Sequence, residues 1–183
     1  GKEKYIYTKL EYYNLTGSIK DRVAYYIINN AIKSGKLKEG MPIIEATSGN
    51  TGIALAALGR FYKHPVYIFM PDWVSKERMD LIKNYGANII LFSKDEGGFI
   101  RCVAEAKKMA EEKNGFLANQ FASEDNFLAH YETTAEEIIK QTPEKIYGFV
   151  SGVGTGGTLM GTGKRLKEQF SSLKIVAIEP DKM

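Results

Sequence analysis

Apolar positions along the chain follow two rhythms. Short continuous apolar runs, of the kind buried on both faces of a sheet, predict strands at 5–11, 42–46, 66–70, 88–92, 146–151 and 174–179. Phe116–Leu117 reads as one more short strand. Between these runs the apolar residues recur every three or four positions. That spacing predicts helices over 18–34, 51–62, 75–85, 98–113, 124–141 and 156–170. Strand and helix taking turns imply an α/β fold with a parallel sheet covered on both faces. The run 174–180 reads as a buried strand, after which such an array normally continues. The chain is therefore expected to be a fragment of a longer enzyme.

Composition narrows the function classes. A chain of 183 residues is long enough to bury about 70% of its unfolded surface. Hydrophobic residues make up 44% and charged residues 26%, which excludes general disorder. The 25 basic and 22 acidic side chains leave a net charge of +3, too small an excess to argue for nucleic acid or an anionic membrane. No apolar run approaches the ~18 residues of a membrane span. The single cysteine, Cys102, cannot form an intrachain disulfide or a multi-cysteine metal site, which fits a reducing cytoplasm.

Three segments carry candidate chemistry. The first is Ser151-Gly-Val-Gly-Thr-Gly-Gly-Thr158, within a stretch where six of the 18 glycines fall between Gly152 and Gly163. It follows a predicted strand and opens a helix. Bare N–H groups at a helix N-terminus make a phosphate cradle. Gly152, Gly154 and Gly157 also satisfy the dinucleotide pattern, with Glu179 placed 22 residues beyond Gly157. The bland alternative is a tight turn with no ligand.

The second is Lys20. Ser18 is placed to cap the helix, with Asp21 in the capping-box position. Lys20 projects onto the stripe of Ala24, Ile27 and Ala31, which is the apolar face. Desolvation and the helix dipole both disfavour its charge there, which suits an amine that attacks a carbonyl. A snorkelling lysine is the alternative. The third is Thr47-Ser-Gly-Asn-Thr-Gly52, a strand–helix turn whose hydroxyls and N–H groups suit a carboxylate. Alone, it is also an ordinary capping turn. Together, a desolvated lysine, a carboxylate receptor and a phosphate cradle in one parallel α/β chain match pyridoxal 5'-phosphate acting on an amino acid.

Lys9 to Arg22 (KLEYYNLTGSIKDR), Thr47 to Gly52 and Ser151 to Thr158 resemble three signatures of the cysteine synthase (O-acetylserine sulfhydrylase) and cystathionine β-synthase family. Tyr85-Gly-Ala-Asn88 and Asn119-Gln-Phe121 also match in place. The resemblance implies a two-lobe, fold-type II pyridoxal-phosphate enzyme with three-layer αβα lobes and an incomplete large lobe. A small mobile lobe would span 14–123, and a partial large lobe 1–13 plus 124–183. Lys20 would hold the cofactor's aldehyde and act as acid and base at the substrate Cα. Asn50 would bind the ring hydroxyl, and Gly154, Thr155, Gly156, Gly157 and Thr158 the phosphate. Thr47, Ser48, Thr51 and Gln120 would hold the substrate carboxylate. The family pattern also has an upstream Gly-Asn-Thr-Pro-type segment, further strands, and a small polar residue facing the pyridine nitrogen. None of these has a counterpart in the chain.

The activity so implied is β-replacement on an L-serine derivative: O-acetyl-L-serine plus sulfide to L-cysteine and acetate, through an aminoacrylate. Cystathionine synthesis, or cysteine as donor giving sulfide with serine or lanthionine, would use the same site. The resemblance further implies a homodimer for the full-length protein. Two other classes compete. A dinucleotide-binding oxidoreductase leaves Lys20 and Thr47–Gly52 unexplained, and a non-catalytic fragment is motivated only by the chain's ends. No metal role is expected: His64 and His130 lack spaced partner ligands. Cys102 shares a stripe with Phe99, Ala106 and Met109 and reads as a core thiol.

Overall fold

The structure is a computed structural model that describes residues 5–181. The chain divides into two compact units, one of Tyr12–Asp125 and one of Gly1–Glu11 with Asn126–Met183.

The Tyr12–Asp125 unit holds α1 (Lys20–Lys33), β1 (Ile43–Ala46), α2 (Asn50–Phe61), β2 (Val66–Pro71), α3 (Lys76–Asn84), β3 (Asn88–Phe92), α4 (Gly98–Glu112) and β4 (Phe116–Leu117). The strands form one parallel sheet in the order β3-β2-β1-β4. Ile43 pairs with Val66 on one side and Phe116 on the other. Side chains alternate across the pleat. Ile43, Val66, Ile68 and Met70 pack with Val23, Ala24, Ile27 and Leu55 of α1 and α2 and Ile82 of α3. Ile44, Ala46 and Phe69 pack with Cys102, Ala106 and Ala110 of α4. The sheet is thus the middle of three layers, and β1 is buried at all four positions.

The strand order fixes where a ligand can enter. From β1 the chain steps outward to β2 and β3. It then returns through α4, on the opposite face, to β4 at the other flank of β1. The crevice beyond the carboxyl ends of β1 and β4 is a topological switch point, the usual ligand position in open parallel sheets.

The other unit holds α5 (Glu124–Ala129), a π-turn (His130–Thr134), α6 (Ala135–Gln141), β5 (Gly148–Gly152), α7 (Gly157–Gln169) and β6 (Lys174–Ile178). The first two residues of α5 belong to the neighbouring unit. β5 and β6 pair in parallel. Their core is small: Ala135, Leu166 and Leu173, flanked by Ile138, Ile139, Phe149 and Phe170. Every residue of β6 is exposed, which corrects the expectation of a buried strand at 174–180: β6 is an edge of a two-stranded sheet.

Three more expectations are corrected. The strand expected at 5–11 does not form among the described residues, which run as coil into a single 3-10 turn at Glu11–Tyr13. A strand needs a neighbour to exchange backbone hydrogen bonds. Here side chains do the tying: Tyr7 donates to Glu144, and Lys9 donates to Glu137 at 2.6 Å and Gln141 at 3.1 Å. The helix expected over 124–141 is interrupted by the π-turn. The capping box is also displaced. The helix begins at Lys20 with Ile19 as its cap residue, so Ser18 Oγ accepts only the Lys20 N–H, at 3.2 Å. Asp21 reaches further back, to the N–H and hydroxyl of Thr16.

Candidate active site

Lys20 opens α1, half-buried, above Ala24, Ile27 and Ala31, all of which are buried. Burial lowers its pKa, and the charge of Glu45 partly restores it. Glu45 is 2% exposed and lies near the carboxyl end of β1. Burial pushes its carboxyl up to about 7, opposed by hydrogen bonds from the Gln120 and Ala46 N–H groups and by Lys20.

The sign of that shift has a measurable consequence. A carboxyl raised in the folded state stabilises the fold while protonated. Its contribution is complete below the ordinary value of 4.5 and is lost as pH rises through about 7. The thermal midpoint is therefore expected to fall more steeply between about pH 5 and about pH 8 in the native protein than in Glu45→Gln. Equal slopes would contradict it.

The turn after β1 follows from its residues. Gly49 caps α2 and packs under the Arg78 side chain. Arg78 Nη1 donates to the Ser48 carbonyl at 3.3 Å. A Cβ on Gly52 would stand 2.9 Å from Thr47 Cγ2, so glycine permits the close packing of turn on helix. Ser48 and Asn50 are exposed, whereas Thr47, Thr51 and Gln120 are 4%, 2% and 4% exposed. Thr51 Oγ1 donates to Gln120 Oε1 at 2.6 Å. The turns after β1 and β4 thus meet at the switch point. Of the four carboxylate candidates, Ser48 stands open, while Thr51 holds the Gln120 amide in orientation.

In the other unit, Val153 N–H donates to the Ile178 carbonyl at 3.0 Å, which ties the start of the loop to the end of β6. Gly156 adopts φ +85°, a left-handed turn into α7 that favours glycine. Around Gly154 and Gly156 nothing lies within 4 Å of where a Cβ would stand. The backbone there is open to a close-fitting anion at a helix N-terminus. Gly157 faces the opposite situation: its Cβ would stand 2.1 Å from Asn126 Oδ1.

Two residues that the sequence reading did not assign to the site hold this loop. Asn126 Nδ2 donates to Thr155 Oγ1 at 2.8 Å. His130, fully buried, shares hydrogen bonds with the Thr158 hydroxyl at 3.2 Å and with Thr134 Oγ1 at 3.0 Å. They sit four residues apart, so one helical face grips both loop threonines. That spacing was the available signal. The loop's open glycines, helix N-terminus and two fixed hydroxyls fit a phosphate, and a desolvated lysine fits an aldehyde.

His64 shares a hydrogen bond with the Met41 carbonyl at 2.9 Å. Cys102 is buried, and burial raises its thiol pKa. Among the described residues no helix is long and apolar enough to cross a membrane.

Comparison with known proteins identifies the family. A cysteine synthase of Staphylococcus aureus (strain Mu50) is 43% identical over 177 residues, covering 96% of this chain and 57% of its own length. A crystal structure of a hydrogen sulfide-producing enzyme from Fusobacterium nucleatum superposes with a TM-score of 0.93 at 50% identity. It covers 98% of this chain and 55% of its own. An O-acetylserine dependent cystathionine beta-synthase from Helicobacter pylori superposes with a TM-score of 0.90 at 36% identity, over 96% of this chain and 57% of its own. The chain thus spans little more than half the length of these relatives. The family model described as "Pyridoxal-phosphate dependent enzyme" matches residues 1–183 in full, and the chain belongs to that family.

Proposed function

We propose that the full-length protein containing this chain carries out β-replacement on an L-serine derivative, with O-acetyl-L-serine and sulfide giving L-cysteine and acetate. The observation that carries this reading is the meeting of the Thr51 and Gln120 side chains at the switch point, in the unit that also carries a desolvated Lys20. Pyridoxal phosphate, when bound, supplies a conjugated ring that accepts the electrons released at the substrate Cα. Lys20 would hold its aldehyde carbon, Asn50 its ring hydroxyl, and Gly154 to Thr158 its phosphate. Thr47, Ser48, Thr51 and Gln120 would take the substrate carboxylate and so orient the Cα–H bond. Lys20 would also take the Cα proton and return it at the end of the cycle. Between those transfers acetate leaves Cβ and the sulfide sulfur adds there. The resemblance also supports a homodimer of the full-length protein, and the single cysteine, Cys102, a cytoplasmic location.

A second reading uses cysteine as the donor and releases sulfide. It is favoured by the 50% identity to a hydrogen sulfide-producing enzyme. Product analysis separates the two. Cysteine formed from O-acetyl-L-serine and sulfide supports the first. Sulfide released from cysteine alone, with no turnover of O-acetyl-L-serine, replaces it with the second.

The carboxylate assignment has its own test. A hydrogen bond to a charged group contributes about 1.5–3 kcal/mol. Gln120→Ala is therefore expected to weaken amino-acid binding by ~10- to ~150-fold, with cofactor affinity unchanged. Unchanged substrate affinity would remove Gln120 from the site.

A further inference from the structure

Glu45 is an acid inside an otherwise apolar strand, and no step above uses it. Burying a carboxylate costs free energy unless its oxygens are satisfied. Both are satisfied here, and both by main chain. Oε1 accepts the N–H of Ala46 at 2.8 Å, and Oε2 accepts the N–H of Gln120 at 2.9 Å.

The second bond falls where the sheet ends. β4 is two residues long, and its register with β1 stops at Ile44 and Leu117. The Ala118 N–H still reaches the Ile44 carbonyl at 3.0 Å. Beyond it Asn119 turns to φ +48° and the chain leaves the sheet. The Asn119 carbonyl then accepts the N–H groups of Ala122 at 3.0 Å and Ser123 at 2.9 Å. The turn therefore closes on itself locally. What ties it to β1 at Gln120 is the Glu45 side chain. Two constraints then act on one residue: Glu45 fixes the Gln120 backbone, and Thr51 fixes its amide at 2.6 Å.

We infer that Glu45 is a positioning residue. Its carboxylate brackets the end of β1 to the turn after β4 and sets Gln120 for the carboxylate of the amino-acid substrate. This rests on the carboxylate reading of Gln120 given above. Glutamine in place of Glu45 keeps one acceptor but turns an amide donor towards the second N–H, so one of the two bonds is lost.

The test uses the full-length protein loaded with pyridoxal phosphate and measures equilibrium binding of two ligands: L-serine, and 2-aminoethanol, which lacks the carboxylate. Glu45→Gln is expected to weaken L-serine on the order of 10-fold more than 2-aminoethanol, because any change at Lys20 acts on both amines alike. Gln120→Ala is expected to discriminate in the same direction. The double variant should then bind L-serine no more weakly than Gln120→Ala alone, because both changes remove one interaction. Losses that multiply, or equal weakening of both ligands, would make Glu45 a structural acid only and overturn the inference. A loss in Gln120→Ala with none in Glu45→Gln would overturn it while leaving the carboxylate site intact. No loss in Gln120→Ala would overturn the site reading and this inference with it. If Glu45→Gln does not fold, Glu45→Asp makes the same comparison, since it keeps the charge but shortens the reach by one carbon.

Discussion

Lys20→Ala in the full-length protein is expected to abolish covalent attachment of pyridoxal phosphate and to lower turnover by at least ~10²-fold, the low end for loss of a positioned acid–base group. The lysine begins α1, where its ammonium opposes the helix dipole, and burial lowers its pKa. Both effects raise the fraction present as free amine, the form that reacts with an aldehyde. Glu45 works against them, so the amine is tuned between a buried face and a nearby acid. Borohydride reduction followed by peptide mass analysis reads the attachment directly. A cofactor mass on the Lys20 peptide of the native protein, absent from the variant, is the expected result. A label on another lysine would transfer the role and leave Lys20 as a helix-face residue.

Gly157→Ala is expected to damage the phosphate loop in a way that Gly154→Ala does not. A Cβ at Gly157 would meet Asn126 at 2.1 Å through its side chain and at 2.9 Å through its backbone oxygen. Overpacking of this kind costs about 1–3 kcal/mol. The Gly157→Ala protein should lose that stability without any cofactor present. Its affinity for pyridoxal phosphate should fall ~10- to ~100-fold as Thr155 and Thr158 lose their hold. At Gly154 the same methyl group meets nothing within 4 Å. Gly154→Ala should therefore melt like the native protein when cofactor-free, yet bind the cofactor more weakly, because the methyl occupies the space the phosphate needs. Thermal melts with and without cofactor separate the two effects. Native affinity in Gly154→Ala would place the phosphate elsewhere.

The pattern of apolar positions was enough to locate the βα units of Tyr12–Asp125 because their sheet is sandwiched between helices. Lys20 was legible for the same reason. Ala24, Ile27 and Ala31 mark a buried stripe, and a lysine on that stripe has to be desolvated. The turn at 47–52 could be read from its hydroxyls and glycines. Gln120 could not be read from its local sequence. It reaches the site because β4 returns beside β1, a long-range pairing visible only through family resemblance. The segment 5–11 reads as a strand from its apolar run, but such a run does not supply a partner strand. The π-turn leaves no periodic trace, since it adds one residue to an otherwise continuous apolar pattern. Glu45 was written in plain view as an acid within Ile43-Ile-Glu-Ala46. Its meaning depended on which N–H groups would surround it.

The π-turn bears on how this segment tolerates change. It lies between two demands on a single helical rod. Asn126 ahead of it and His130 at its first position face the glycine loop. Behind it, Ala135, Ile138 and Ile139 face the small core of their own unit. One residue advances a helix by ~100°, and the extra residue in the π-turn lets both faces be right at once. Removing a residue between His130 and Thr134 would restore a regular helix and rotate one set away from its target. Substitutions along this rod can be absorbed position by position, whereas a change in its length cannot. The spacing from Asn126 to Ala135 is therefore a fixed ruler, and insertions and deletions belong in the turns outside it.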